Sequence, residues 1–269
     1  MSSSGYLLAG QASELERLQL QSRVWEPSGR ALLSQLGSGD GLSALDVGCG
    51  CLGWLRILSA WVGPRGAVTG TDVDDTLLAA ARTLIREDGL PNVTLAHDDL
   101  FDSRLQAGSF DLVHARFEIA PLGRAEEQLA AYLRLAKPGG RLILEDPDCG
   151  SWHFNPPAPA AERLIGLIED AFLAAGGDLS AGRRDAEHLR GVGLEPEVRA
   201  EVYALPPGHP YLRLPLQFSA SLEPRLLRLV SRGELEELRR RAGAELAQPG
   251  RWGTTFTLVQ AWATVPPGS

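Results

Sequence analysis

The sequence predicts an α/β fold: a doubly wound, seven-stranded, mostly parallel sheet with helices on both faces. Three observations carry this. Between residues 43 and 147, short apolar stretches of strand length alternate with amphipathic helical stretches, the spacing of consecutive βα units. The first of these strands runs into a glycine-rich turn, LDVGCG at residues 45–50, which opens a helix. After Asp146 the alternation lapses into proline-punctuated helical sequence, and TTFTLVQAWATV then returns as an alternating strand, suited to an antiparallel place at the sheet edge.

Taken in order, Ser13 followed by Glu16 forms a capping box that opens a helix running to about Trp25, before Pro27. ALLSQLG, ending at Gly37, makes a second helix. SALDVG is a strand, and CLGWLRILSAWVG is a helix closed by Gly63-Pro64, with Trp54 and Trp61 as core residues. GAVTGTD is the next strand. It leads to the helix DDTLLAAARTLIRED, with Asp74 or Asp75 as its N-cap and Gly89 as its C-terminal cap. PNVTLAHDD, SFDLVHARF and RLILED supply further parallel strands, and AEEQLAAYLRLAK is a helix stopped by Pro138-Gly139-Gly140. Right-handed crossovers fix the winding.

Beyond these come the loop PDCGSWHFNPPAPA, the helix AERLIGLIEDAFLAAGG and the strand LEPEVRAEVYAL. Residues 209–248 are helical, with Ser231 and Glu234 as a second capping box. Two late strands flanking this insertion make a hairpin at the sheet edge. The expected organisation is a helical lid over residues 1–42, a core of residues 43–208 and 249–269, and a substrate lid over residues 209–248.

Composition narrows the function. The 269 residues are 44% hydrophobic and carry a formal net charge of −8, which argues against nucleic acid, because phosphate contacts need a basic face. The opening MSSSGYLLAGQASELERLQ lacks a signal-peptide pattern, and no apolar run reaches membrane-spanning length. A soluble cytoplasmic protein, monomer or homodimer, is expected. Cys49, Cys51 and Cys149 have neither disulfide-framework nor metal-site spacing, so no metal is expected and the two loop cysteines are small residues filling a tight turn.

Gly48, Gly50 and Gly53 spell G-x-G-x-x-G, a weak dinucleotide signal. Read from Asp46, the same residues spell D-x-G-x-G. A carboxylate there repels pyrophosphate and favours a cationic ligand. Asp72 ends the second strand, where an acid accepts from ribose hydroxyls. Asp99, after the third strand, is placed to accept from an exocyclic amine on adenine, while Asp98 fits a loop acid or cap.

With LDVGCG, TDVDD, HDDLFD, SFDLVHARF and LAKPGGRLILED taken together, the chain resembles the class I S-adenosylmethionine-dependent methyltransferases. It is most similar to the group that includes the ubiquinone/menaquinone-type enzymes. The resemblance covers residues 43–147 well and the rest in outline. It implies a Rossmann-like fold, S-adenosylmethionine as cofactor, S-adenosylhomocysteine as product and a small organic acceptor methylated at oxygen, nitrogen or carbon. It assigns Asp46, Gly48, Cys49 and Gly50 to the methionine end, Asp72 to the ribose and Asp99 to the adenine. Val73 would pack on the adenine ring, Leu100 would offer its backbone N–H, and Ala115 and Arg116 would line the methionine end. An amino-terminal helix covering the cofactor would bring Tyr6, Arg17 and Gln21 to it. One departure is Leu52, where the family often has a third glycine; here the next is Gly53.

A base is needed only where the acceptor must lose a proton. His114 on the fourth strand and His153 in SWHFNPP are the candidates by position, against the ordinary reading of a strand histidine as a hydrogen-bonded core residue. Glu118, Asp146 and Asp148 are acids near the same mouth. Tyr6, Trp25, Trp152, Phe154, Tyr211 and Phe218 are candidates for the acceptor pocket, or for ordinary packing of the lid. Two alternatives stand beside methyl transfer. One is a protein that binds the cofactor without transferring methyl, and the other, disfavoured by Asp46, is a nicotinamide oxidoreductase.

Overall fold

The computed structural model describes residues 12–267. The chain runs α1 (Ala12–Leu36), β1 (Ser43–Val47), α2 (Leu55–Val62), β2 (Ala67–Asp72), α3 (Asp75–Glu87), β3 (Val93–His97), β4 (Phe110–Arg116), α4 (Ile119–Leu122), α5 (Ala125–Leu135) and β5 (Ala136–Asp148). It continues through β6 (Phe154–Asn155), α6 (Pro159–Leu173), α7 (Asp185–Gly191), β7 (Glu197–Glu201), β8 (Ala204–Leu205), α8 (Leu214–Ser221), α9 (Glu223–Leu226), α10 (Arg232–Leu246), β9 (Trp252–Thr254) and β10 (Thr257–Thr264).

Seven strands form the main sheet in the order β3-β2-β1-β4-β5-β10-β7. β1 to β5 pair in parallel, and β10 runs antiparallel to both β5 and β7. The antiparallel strand sits one place in from the edge, which β7 makes. Side-chain character explains the order: LVQAWA of β10 is buried on both faces, whereas EVRAE of β7 is charged and partly exposed. Strand order reverses between β1 and β4, so the loops after β1 and β4 face each other across a crevice.

Caps agree with the local sequence. Asp74 accepts from the backbone N–H groups of Thr76 and Leu77 at the start of α3, and Ser231 accepts from that of Glu234 at the start of α10. Gly89, at φ +63°, ends α3 in the left-handed conformation glycine favours. The Ser13 side chain and Tyr6 lie outside the described residues.

One expectation is corrected. Pro27 does not separate two helices; it lies inside α1, which is 25 residues long in all. Proline removes one helical hydrogen bond, but Trp25, Ser28, Leu32 and Leu33 on both sides of it are buried along one face. Packing of that face on α2 and the cap outweighs the local defect. Pro27 itself is exposed.

The cap is built from α1, α6, α8, α9 and α10, with α10 and α8 packed on α6. Its core includes Trp25, Phe154, Tyr211 and Leu235. A small second sheet, β6-β9-β8, which the sequence reading did not anticipate, ties the cap to the chain entering β10. Among the described residues, no helix is long and apolar enough to cross a membrane.

Replacing the exposed Pro27 by alanine restores a helix donor without touching the core. Pro27→Ala is expected to stabilise the fold by about 1–3 kcal/mol, the difference in helix propensity less the entropy proline removes from the unfolded chain. The urea-unfolding midpoint measures it; an unchanged or lower midpoint would contradict the account of α1.

Candidate active site

β1 delivers Asp46 and Val47 to the glycine loop. Gly48 and Gly50 both hold φ near +60° (60° and 59°), a conformation that would strain other residues. The intervening Cys49 donates its N–H to the Thr71 carbonyl at 2.9 Å, tying the loop to β2. Gly50 donates its N–H to the Asp72 carboxylate at 2.9 Å, and the other Asp72 oxygen accepts from the Asp74 N–H, also at 2.9 Å. Burial raises the Asp72 pKa although these backbone donors oppose it. Space above Gly50 is open: an added Cβ would meet only Leu18 Cδ1, at 3.9 Å. A Cβ at Gly48 would lie 1.9 Å from Glu118 Oε1, so the Glu118 carboxylate rests against the loop backbone.

Beneath the loop lies a buried charge arrangement. His114 sits opposite Asp46 in the β1–β4 register, with Nδ1 2.7 Å from Asp46 Oδ1 and Nε2 3.3 Å from Glu145 Oε2. Burial opposes the charge on this imidazole, but its hydrogen bonds to Asp46 and Glu145 prevail and its pKa lies above the usual 6.5. Glu145 shows the reverse balance. Burial pushes its pKa up, and the hydrogen bond and charge of His114, with help from Arg116 and Gln260, hold it below 4.5. Trp54 covers the group, with its ring stacked on His114 at 3.8 Å and Nε1 donating to Glu145 at 2.7 Å. Gln260 of β10 donates to the remaining Glu145 oxygen. The other Asp46 oxygen accepts from the Trp54 N–H at 3.3 Å.

Above the loop opens a cavity of about 570 Å³. Its sheet side carries Asp46, Asp72, Asp98, Asp99 and Glu118, with Val73 and Leu100 as apolar patches. Val73 is 43% exposed, an apolar side chain turned into open space. Phe101 lies beside them under the Arg124 guanidinium, 3.6 Å from its ring centroid. Glu118 is half-buried and makes no side-chain hydrogen bond among the described residues. Burial first, then the Asp72 and Asp46 charges, push its carboxyl well above the usual 4.5. The cap side is different: Phe117, Phe256, Trp152, Phe218 and Phe172 line it, with Arg17, Gln21 and Arg225. Arg17 donates to Gln21 at 2.7 Å and lies over the Phe218 ring.

The structure brings Asp46, Gly48, Cys49, Gly50, Asp72, Val73, Asp99, Leu100, Arg116 and Gln21 to this one cavity. Asp46 does so with both oxygens engaged below, so it braces the loop. Asp99 accepts from the Phe101 N–H at 3.0 Å and is exposed. Ala115 is buried behind the wall. Both histidine expectations need correcting. His114 is fully buried in the sheet and faces two carboxylates. His153 is exposed just before β6, away from the cavity, because its neighbours Trp152 and Phe154 turn inward. Of the expected acceptor-side aromatics, Trp152 and Phe218 line the wall, while Trp25, Phe154 and Tyr211 are cap core. Sequence reasoning missed Phe117, Phe172 and Phe256. Phe117, directly after β4 in SFDLVHARF and at φ +59°, sits where a loop residue of this fold faces the crevice. The other two carry no local signal.

Comparison with known proteins agrees with this geometry. A family model described as a methyltransferase domain matches residues 44–140. Demethylmenaquinone methyltransferase of Listeria welshimeri is 32% identical over 115 residues, 42% of this chain and 49% of that protein. Nocamycin O-methyltransferase of Saccharothrix syringae is 35% identical over 123 residues, 46% of this chain and 44% of that protein. The chain thus spans about half the length of the curated relatives it matches. A SAM-dependent methyltransferase from Aquifex aeolicus superposes with a TM-score of 0.55 at 22% identity, over 71% of this chain and 92% of that one. Geranyl diphosphate C-methyltransferase from Streptomyces coelicolor gives 0.53 at 14% identity, over 89% and 76%. Residues 44–140 match a methyltransferase domain and lie in a Rossmann-like sheet. Over that stretch the chain is similar to methyltransferases, and its fold is that of the S-adenosylmethionine-dependent methyltransferase structures.

The histidine sandwich has a pH signature. A group whose pKa is raised by folding stabilises the fold fully below its unfolded value and loses that contribution as pH rises through the folded value. His114 therefore favours the fold below about pH 6.5, with the gain lost above it. His114→Gln is expected to lower the urea midpoint, and its deficit against wild type should shrink as pH is raised from about 6 to about 9. A deficit independent of pH would mean that His114 acts by shape alone.

Proposed function

We propose that this protein is an S-adenosylmethionine-dependent methyltransferase acting on a small organic acceptor. The observation that carries the reading is the two-sided cavity over the glycine loop, acidic toward the sheet and aromatic toward the cap. The sheet side fits the cofactor group by group. Asp72, at the end of β2, suits vicinal ribose hydroxyls. Val73 and Leu100 offer apolar surface for an adenine ring, and Asp99 an acceptor for its amine. The open space over Gly50 admits a chain close to the backbone. The carboxyl groups of Asp72 and Glu118 lie together at this end, and a sulfonium or ammonium group there would favour their charged forms.

Bound there, S-adenosylmethionine would supply a methyl group already activated on a cationic sulfur, leaving S-adenosylhomocysteine. What the chain contributes is placement and dryness. Arg17, Leu18 and Gln21 of α1 cover the loop, and Ser22 donates to the Gly53 carbonyl at 3.1 Å, fastening the helix there. Helices α8 and α9 close the far side, so α1 and residues 209–248 act as the two lids. Alignment in such an enclosure supplies much of the rate of a displacement. Glu118, resting on Gly48 at the sheet side of the cavity, is the group placed to hold or take a proton, in the role first given to the two histidines. Cys49 is unsuited to nucleophilic work, since burial and then Asp46 push its thiol well above 9.0.

The reading is of a cytoplasmic enzyme, monomer or homodimer, with a diffusible acceptor. Three cysteines that are free and buried suit a reducing compartment. The net charge of −8 disfavours nucleic acid as the acceptor.

Calorimetric titration tests this directly. S-adenosylmethionine and S-adenosylhomocysteine are expected to bind in the micromolar range, and NADH to give no heat. Asp72→Ala is expected to weaken binding by about tenfold to a hundredfold, the loss of hydrogen bonds to a charged acceptor. Binding of NADH alone would return the glycine loop to a dinucleotide role.

A further inference from the structure

The acids of the cavity are confined to one side. Its acids, Asp46, Asp72, Asp98, Asp99 and Glu118, all come from β1 to β4 and the loops that follow those strands. Its cap side has Arg17, Arg225 and aromatic rings, while Arg116 and Arg124 stand among the acids. The rings form a continuous arc. Phe117 and Phe256 meet edge to face at 5.7 Å, Phe256 and Trp152 at 6.0 Å, Trp152 and Phe218 at 6.5 Å, and Phe218 and Phe172 at 6.3 Å. Such an arc offers faces and edges to a flat guest, at the spacing aromatic pairs prefer.

The arginines on the wall are not equivalent. Arg124 is paired with Glu127, Nε to Oε1 at 2.8 Å. Arg116 lies 3.9 Å from Glu145. Arg17 is held by Gln21 and by the Phe218 ring. Arg225 on α9 is half-buried, lines the cavity, and has no ion pair or side-chain hydrogen bond among the described residues. Its helix is anchored by the buried Leu222 and Leu226 on either side, so the guanidinium is presented by a fixed segment. A half-buried guanidinium without a partner is costly, and its planar fork matches a carboxylate with two parallel hydrogen bonds.

We infer that the acceptor is a flat aromatic anion, its rings laid against the Phe117–Phe172 arc and its carboxylate, or an equivalent oxyanion, paired with Arg225. This rests on the cavity's sheet side being the cofactor site. The absence of acids from the cap side, among the described lining residues, then has a use. An anionic acceptor is repelled from the acidic end and oriented with its charged group toward α9, leaving its other edge toward the glycine loop. Arg225 is a specificity residue here, distant from the reacting atoms.

Two probes of one shape separate charge from packing: 2-naphthoate and its neutral counterpart 2-naphthamide. Each is titrated calorimetrically into the protein alone and into the protein saturated with S-adenosylhomocysteine. The naphthoate is expected to bind at least about tenfold more tightly than the amide, the order of a hydrogen-bonded charge pair. Arg225→Gln should bring the two within about twofold while leaving S-adenosylhomocysteine affinity unchanged, and Arg225→Lys should keep part of the preference. Unfolding midpoints of both variants close to wild type would exclude a folding defect. The inference is overturned if S-adenosylhomocysteine binds but the probes bind alike, if neither binds, or if Arg225→Gln keeps the preference. If S-adenosylhomocysteine fails to bind and the Arg225-dependent preference persists, the cofactor reading falls and the anion site stands.

Discussion

An imidazole held between two carboxylates and sealed by an indole sets the floor of the cavity. Asp46, His114 and Glu145 come from β1, β4 and β5, and Gln260 joins them from β10. Each of the three ionisable groups is at most 2% exposed. Desolvation of such a group is repaid only in good geometry, and removing one member leaves a buried charge unmatched. The arrangement therefore fixes position more than it adds stability. It locks the relative register of the central strands. Through Trp54, at the threshold of α2, it also fixes where the glycine loop must turn.

From that floor the two walls are raised by different parts of the chain. The acidic wall follows from the topology itself, since loops after parallel strands collect at one end of the sheet. The aromatic wall is assembled from afar: Phe117 after β4, Trp152 after β5, Phe172 at the end of α6, Phe218 in α8 and Phe256 before β10. No short segment supplies it. A cap of this kind can be altered without disturbing the loop beneath, which suits a fold that serves many acceptors.

Most of the sheet was legible in the sequence because its strands are short, apolar and punctuated by Gly, Pro and Asp. The loop LDVGCG, Asp72 and Asp99 could be placed by the strand ends they follow. Pro27 misled because proline's local cost is visible in sequence, whereas the buried face of Trp25, Leu32 and Leu33 that overrides it exists only after packing. The histidines misled for a related reason. Position along the chain placed His114 near the strand end, but its role depends on which residues stand opposite in neighbouring strands, and register is a tertiary fact. Phe172 and Phe256 gave no signal at all, being single aromatic residues in segments whose pattern was already explained by helix and strand.

The placement of β10 between β5 and β7 has a temporal side. Glu145 and the Gln260 that completes its hydrogen bonding are 115 residues apart, and β7 has no partner in the main sheet other than β10 among the described residues. During synthesis, one flank of β5 stays open while α6 to α10 are made, and β7 stays unpaired while α8, α9 and α10 are made. Only the arrival of LVQAWA closes the gap. The amino-terminal half can collapse early on its local βα units, but the last central pairing carries a large loop-closure cost. In the interval, a bare apolar strand edge is available to other nascent chains, the setting in which such intermediates associate.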